Sequence, residues 1–176
     1  MRSLLLSIVA LASMDSFGQI SASFDSIGGK AWNDITVEEV KSLFPEVPRE
    51  WNAPPSRAYL MGGPCISIPG PLLVQFDNTG VRFVFDRIDT TRNMRLLSLM
   101  VTRAGAVVTP NHVDVGEKLS ARSNSDGSPL HTRRLNDLDY LEIIDHGVFY
   151  YCKPASVKRA RKGKPVKVAF FKVRGD

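Results

Sequence analysis

The sequence predicts an α+β fold in which an antiparallel β-sheet predominates and one short helix lies near the N-terminus. Three observations lead there. One segment, DITVEEVKSLFPEVP, has both start and stop signals of a helix. From Tyr59 onward, apolar residues tend to alternate with polar ones, the period of a strand and not of a helix. Short turn sequences, DNTG and DHG, join neighbouring strand-like runs, and hairpins of this kind build antiparallel sheets.

The first element is not part of that fold. Residues 1–18, MRSLLLSIVALASMDSFG, place Arg2 ahead of an apolar run from Leu4 to Met14 and end in small residues, which is the layout of a signal peptide. Ser16 and Gly18 occupy the small-residue positions before a cleavage site. Gln19 is therefore the expected first mature residue, and 19–176 the expected single α+β domain. The apolar run falls short of the ~20 residues that a membrane-crossing helix needs, and no later run is longer, so no membrane span is expected. The expected location is the periplasm or the cell exterior.

Within DITVEEVKSLFPEVP, Thr36 is placed to be the N-cap and Glu39 its capping-box partner. Ile35 and Val40 are spaced as a hydrophobic staple, Val37, Val40 and Phe44 share a face, and Pro45 and Pro48 end the helix. REWNAPPSRAY follows, with paired prolines that read as a loop. LLVQF-DNTG-VRFVFDRI reads as a hairpin with Phe83 and Phe85 on one face and Arg82 on the other. Met94 to Thr102 is a further strand, and Ala106 to Thr109 is expected to extend the sheet after a bend at Gly105. YLEII-DHG-VFYYC is a second hairpin, and VKVAFFKV, from Val166 to Val173, is the last strand. Adjacent aromatic residues in a strand point to opposite faces, so only one of Tyr150 and Tyr151, and one of Phe170 and Phe171, belongs to the core.

Charge divides unevenly. From residue 153 to 176 there are nine basic residues and one acidic, whereas 19–152 carries a balance of −3. Lys158, Arg159, Arg161, Lys162 and Lys164 cluster between two strand-like segments, with Gly163 and Pro165 supplying turn chemistry. Two readings remain open for this cluster: a solvated hairpin connection, or a source of long-range attraction to an anionic partner. Lys167, Lys172 and Arg174 on the last strand read as charges that protect a sheet edge.

Cys65 and Cys152 are the only cysteines, and an even count in an exported protein points to one disulfide. Such a bridge would stabilise the fold by ~4–5 kcal/mol in a chain-entropy treatment, if it formed without strain. Neither has zinc-ligand spacing to another Cys or His, so no metal site is expected.

The short helix beginning Thr36-Val-Glu-Glu39-Val40, followed by a meander of strands, with a second, degenerate copy around Val115-Gly116-Glu117, resembles the β-lactamase-inhibitor-protein-like fold and the small envelope lipoproteins related to it. The resemblance implies two degenerate helix-plus-sheet repeats and a non-enzymatic binding surface on the sheet. It carries no binding residue across.

Catalytic chemistry finds no local motif. His112, His131 and His146 are the bases to test, and two of them have an aspartate close in sequence, but there is no H-E-x-x-H helix, nucleophile elbow or complete phosphate loop. No catalytic residue and no cofactor is assigned. Nucleic acid is an unfavoured partner despite a basic tail, because export removes most cytosolic targets. The reading is an exported, non-enzymatic binding protein, an inhibitor or immunity-type partner of another exported protein, with an anionic envelope polymer as a further partner class. An envelope hydrolase using a His/carboxylate site is the alternative.

Overall fold

The helix start at Thr36 is formed in the computed structural model, which describes residues 19–23, 25–59, 65–87, 94–153, 157–160 and 162–174, with the backbone alone at residues 58, 59, 65, 66, 87 and 157. The expected signal segment, 1–18, lies outside the described residues. Three two-residue strands, β1 (Ile20–Ser21), β2 (Ser26–Ile27) and β3 (Lys30–Ala31), and a 3₁₀ turn at Trp32–Asp34 precede the helix α1 (Val37–Lys41). The Glu39 backbone N–H donates to Thr36 Oγ1 at 3.2 Å, and the Thr36 N–H donates to the Glu39 carboxylate at 3.0 Å, which is the reciprocal capping box. Lys30 also pairs with that carboxylate. Hydrogen bonds from Lys30 and then from Thr36 lower the Glu39 pKa to about 2. Ile35 and Val40 are both buried, and Phe44 meets Phe76 edge-on at 4.7 Å, so the helix is held by its apolar face.

The strands then follow as β4 (Arg49–Asn52), β5 (Ser56–Tyr59), β6 (Cys65–Ile68), β7 (Leu72–Phe76), β8 (Val81–Arg87), β9 (Met94–Val101), β10 (Val107–Val108), β11 (Lys118–Leu119), β12 (His131–Leu135), β13 (Leu138–Asp145) and β14 (Val148–Cys152). A one-turn helix α2 (Val157–Ala160) and β15 (Val166–Arg174) complete the chain. The main sheet runs β12-β13-β14-β15-β9-β8-β7-β4, with β11 added beside β15, and all its pairings are antiparallel. No helix among the described residues is long and apolar enough to cross a membrane.

Alternation decides which side of this sheet becomes core. Val74, Phe76, Val81, Phe83, Phe85, Leu99, Val101, Tyr150, Phe171 and Val173 lie on one face and are fully buried. Cross-strand register puts Phe171 opposite both Tyr150 and Val101, and Val173 opposite both Val148 and Leu99, so the apolar face is continuous across the middle of the sheet. The aromatic pairs divide as their alternation requires. Tyr150 and Phe171 enter the core, while Tyr151 and Phe170 face the other way and stack at 4.6 Å.

Several expectations are corrected. REWNAPPSRAY is not a loop throughout: Arg49–Asn52 pairs with β7 as an edge strand, Ser56–Tyr59 opens a separate hairpin with β6, and the prolines occupy the connection between them. The segment at Ala106 to Thr109 does not extend the main sheet, because β10 pairs in parallel with β1. Around Val115-Gly116-Glu117, the degenerate second copy, the chain turns, with Gly116 at φ +88°, and leaves as β11. Finally, β15 is a central strand and not an edge. Lys172 is paired on both sides and Arg174, the strand's last residue, pairs with Ser98 of β9, so edge protection does not account for them.

Glu46 ties the helix end to the β7–β8 turn. Its carboxylate accepts from the backbone N–H of Asn78 at 2.8 Å, and from the N–H and hydroxyl of Thr79 at 2.9 Å each. Burial would raise this carboxyl, but the hydrogen bonds of Thr79 and Asn78 outweigh it and hold the group below its ordinary value. A depressed folded-state pKa gives stability that is complete above the unfolded value of about 4.3 and is lost as pH falls below it. Glu46→Gln is therefore expected to cost ~1–3 kcal/mol at pH 7 and little at pH 3. Urea unfolding at both pH values checks this; an equal loss at both would mean the carboxylate's charge is irrelevant.

Candidate binding face and basic connection

The face of the sheet away from α1 carries an unusual mixture. On β4 and its neighbours, Trp51 lies half-buried, with the Arg49 and Arg82 guanidinium carbons 5.0 and 5.5 Å from its ring centre. On the other half of the sheet, Tyr140 packs edge-on against Phe170 at 5.1 Å and against Tyr151 at 6.4 Å. Arg174 stands 4.8 Å from the centre of the Phe149 ring. Trp51, Tyr140, Phe149 and Phe170 are each partly solvent-accessible, whereas their counterparts on the opposite face are sealed.

The cations of this face outnumber the carboxylates that can answer them. Arg133 pairs with the buried Glu142 at 3.4 Å, and Arg49 reaches Asp77 only at 3.9 Å. Lys172 has burial against it first, and then repulsion from Arg174 and Arg133, all of which lower its pKa. A half-buried lysine beside two arginines is poorly served in the free protein and well placed to meet an anion.

Four of the five basic residues singled out in the sequence lie on α2 and in the turn before β15. Lys158 and Arg159 are exposed on α2, and Lys162 and Lys164 are exposed in the turn before β15; Arg161 lies outside the described residues. The described part of the connection is hydrogen-bonded and partly buried. Ala160 is fully buried, the Gly163 N–H donates to Ala160 O at 2.7 Å, and the Lys164 N–H donates to Arg159 O at 3.0 Å. With Gly163 at φ +66°, this is a Schellman-type helix end, a position that favours glycine. Reversing Lys158, Lys162 and Lys164 to Glu is expected to leave the fold intact and slow association with an anionic partner about tenfold at low salt. Stopped-flow association across a salt series checks this, and an unchanged rate at low salt would make the cluster a solvated surface only.

The Cys152 sulfur is buried, and in the thiol form burial raises its pKa to about 11. The Cys65 side chain lies outside the described residues, although its backbone pairs with Tyr59. Of the histidines, His146 has Nδ1 2.6 Å from Asp145 Oδ1, and Asn111 Nδ2 donates to Asp145 Oδ2 at 2.7 Å. The Tyr150 hydroxyl hydrogen-bonds to Asn111 and Thr109. The His146 ring stands 75% exposed on the β13–β14 turn and pairs with its own sequence neighbour, a geometry that orders the turn. Among the described residues, no three His, Cys, Asp or Glu side chains converge to hold a metal ion.

What sequence reasoning missed here is Trp51, which fell in a segment read as loop, and the grouping of Phe149, Tyr140 and Phe170 on one face. Their alternation was legible; the side each strand would present to its neighbours was not. Compared with known proteins, the chain matches no family model, no curated protein and no solved structure.

Proposed function

We propose that this is an exported, non-enzymatic binding protein that engages an acidic protein partner through the sheet face carrying Trp51, Phe149 and Phe170. The observation that carries the reading is the pairing of partly exposed aromatic rings with surplus cations on a rigid, hydrogen-bonded sheet. Trp, Tyr and Arg are the residues that most often anchor protein interfaces, and the sheet holds them with little ordering cost on binding.

The tandem repeat belongs to the same proposal. Two four-stranded meanders, β4-β7-β8-β9 and β12-β13-β14-β15, meet through their last strands, β9 and β15. Each follows a corresponding signal: Glu39 accepts from the N–H of Thr36, and Glu117 accepts from the N–H of Asp114 at 2.9 Å. In the second copy the Asp114 carboxylate accepts from Gly105 and Val115. No helix follows, consistent with a degenerate repeat of the inhibitor-protein-like layout.

Capture from an envelope extract tests the function. The mature protein is expected to retain one partner in a fixed stoichiometric ratio, and the Trp51→Ala/Phe149→Ala variant to lose it. Retention of the same partner by both would remove the face from the account. Export also supports a Cys65–Cys152 bridge in the mature protein, which non-reducing peptide mapping decides: two freely alkylated thiols would end that proposal.

A further inference from the structure

Beside the binding face, at the start of β15, lies a groove of about 660 Å³ whose rim includes Lys118, Lys153, Arg159 and Lys167. Only Arg159 belongs to the basic cluster visible in the sequence. The others come from β11, from the residue after β14 and from β15, and the fold brings them together. All four are exposed, and no carboxylate of the described residues lies within 4.0 Å of any of their charged groups.

Lys118 and Lys167 are direct cross-strand partners. Lys167 alternates with the buried Val166 and Val168, so it points away from the core, and Lys118 opposite it points the same way. Like charges directly opposed in a ladder are destabilising. The pair therefore opposes the free fold, and it gains most when an anion lies between the two ammonium groups. Backbone bonds keep the strands in that register: Gly116 N–H donates to Val168 O and Val168 N–H donates to Glu117 O, each at 2.9 Å.

We infer that this groove takes an acidic peptide segment of the protein partner, its carboxylates on the lysine rim and its apolar side chains against Val115, Pro165 and Ala169, which are at least partly accessible. This rests on the protein-binding reading above. A peptide is favoured over a point anion because the lining is apolar beneath a cationic rim, and inorganic phosphate would use the rim alone. It is favoured over the exposed connection as the holding site because cations converging on one groove act on a bound ligand together, whereas dispersed surface charges are screened within about 8–10 Å and chiefly speed encounter.

The test titrates the mature protein with a synthetic octapeptide alternating Glu and Leu, with inorganic phosphate, and with vesicles containing phosphatidylglycerol, following backbone amide resonances. The peptide is expected to shift resonances of 115–118 and 166–169 and to weaken as salt rises. Lys118→Glu should weaken it about tenfold while raising the melting temperature of the free protein by about 1–3 °C, since an opposed like pair becomes an opposite one. The raised melting temperature separates lost binding from lost folding. Equal peptide affinity in wild type and Lys118→Glu overturns the inference. So does full competition by phosphate at equal concentration, which makes the site one for a point anion, or binding to vesicles without binding to peptide. If Lys118→Glu leaves partner capture intact while Trp51→Ala/Phe149→Ala abolishes it, the groove inference fails and the binding-face reading stands; if both variants capture normally, both fall.

Discussion

Truncating Trp51 and Phe149 together to alanine is expected to weaken partner binding by at least about a thousandfold while the protein stays folded. Each ring is a partly exposed aromatic residue with arginine beside it, and truncation of such an anchor at an interface centre costs ~2 kcal/mol or more, about thirtyfold in affinity. The rings sit on different halves of the sheet, Trp51 on the β4 edge and Phe149 on β14, so the two losses should be close to additive. The cost to folding is smaller. What each loses in the free protein is partial burial and a cation–π contact worth ~0.5–1 kcal/mol. Trp51→Phe keeps a ring beneath Arg49 and Arg82 and should recover much of the affinity. Calorimetric titration with the captured partner, alongside urea unfolding of each variant, measures both quantities. A loss that tracked destabilisation would make these rings structural.

The largest effect on folding is expected from Gly70→Ala. A Cβ built on Gly70 would lie 2.1 Å from the carbonyl oxygen of Ala53 and 2.7 Å from that of Pro54. These are backbone atoms and cannot turn aside as a side chain does. The Ala53 N–H donates to Pro71 O at 2.8 Å, and Asn52 pairs with Leu72 in the ladder immediately beyond, so moving the chain apart would disrupt the β4–β7 edge. The requirement is one of space, since Gly70 does not need the left-handed region. A loss of ~3 kcal/mol or more is expected, at the upper end of overpacking effects. Gly105→Ala is the control: at φ +92° with open space around it, it should pay only backbone strain of ~1–2 kcal/mol. If urea unfolding found Gly105→Ala the costlier of the two, the close approach at Gly70 would not be limiting.

Features whose physics is local were legible along the chain. Thr36 and Glu39 are three residues apart, so their capping box could be read and is formed as read. The turns after Phe76 and Asp145 joined runs already alternating, and both hairpins stand. Alternation also put Tyr150 and Tyr151, like Phe170 and Phe171, on opposite sides, because successive residues of a strand cannot share one. Two edge strands escaped notice for a related reason. HTRRL and REWN are almost wholly exposed, carry no apolar face, and exist as strands because β13 and β7 offer them hydrogen-bonding edges. No window of sequence contains those partners.

Which strands lie side by side was settled by folding. Val101 and Phe171 are seventy positions apart, yet their pairing makes the two meanders one sheet and turns β15 from an expected edge into its centre. The same step sets Trp51 on a common face with Phe149, and gathers Lys118, Lys153, Arg159 and Lys167 around one groove. Charge and aromatic character are properties of single residues and are visible in a sequence. A binding face is a property of neighbours across strands, and which strands become neighbours is settled by the burial of the shared apolar face, a free energy that belongs to the whole chain and not to any segment of it.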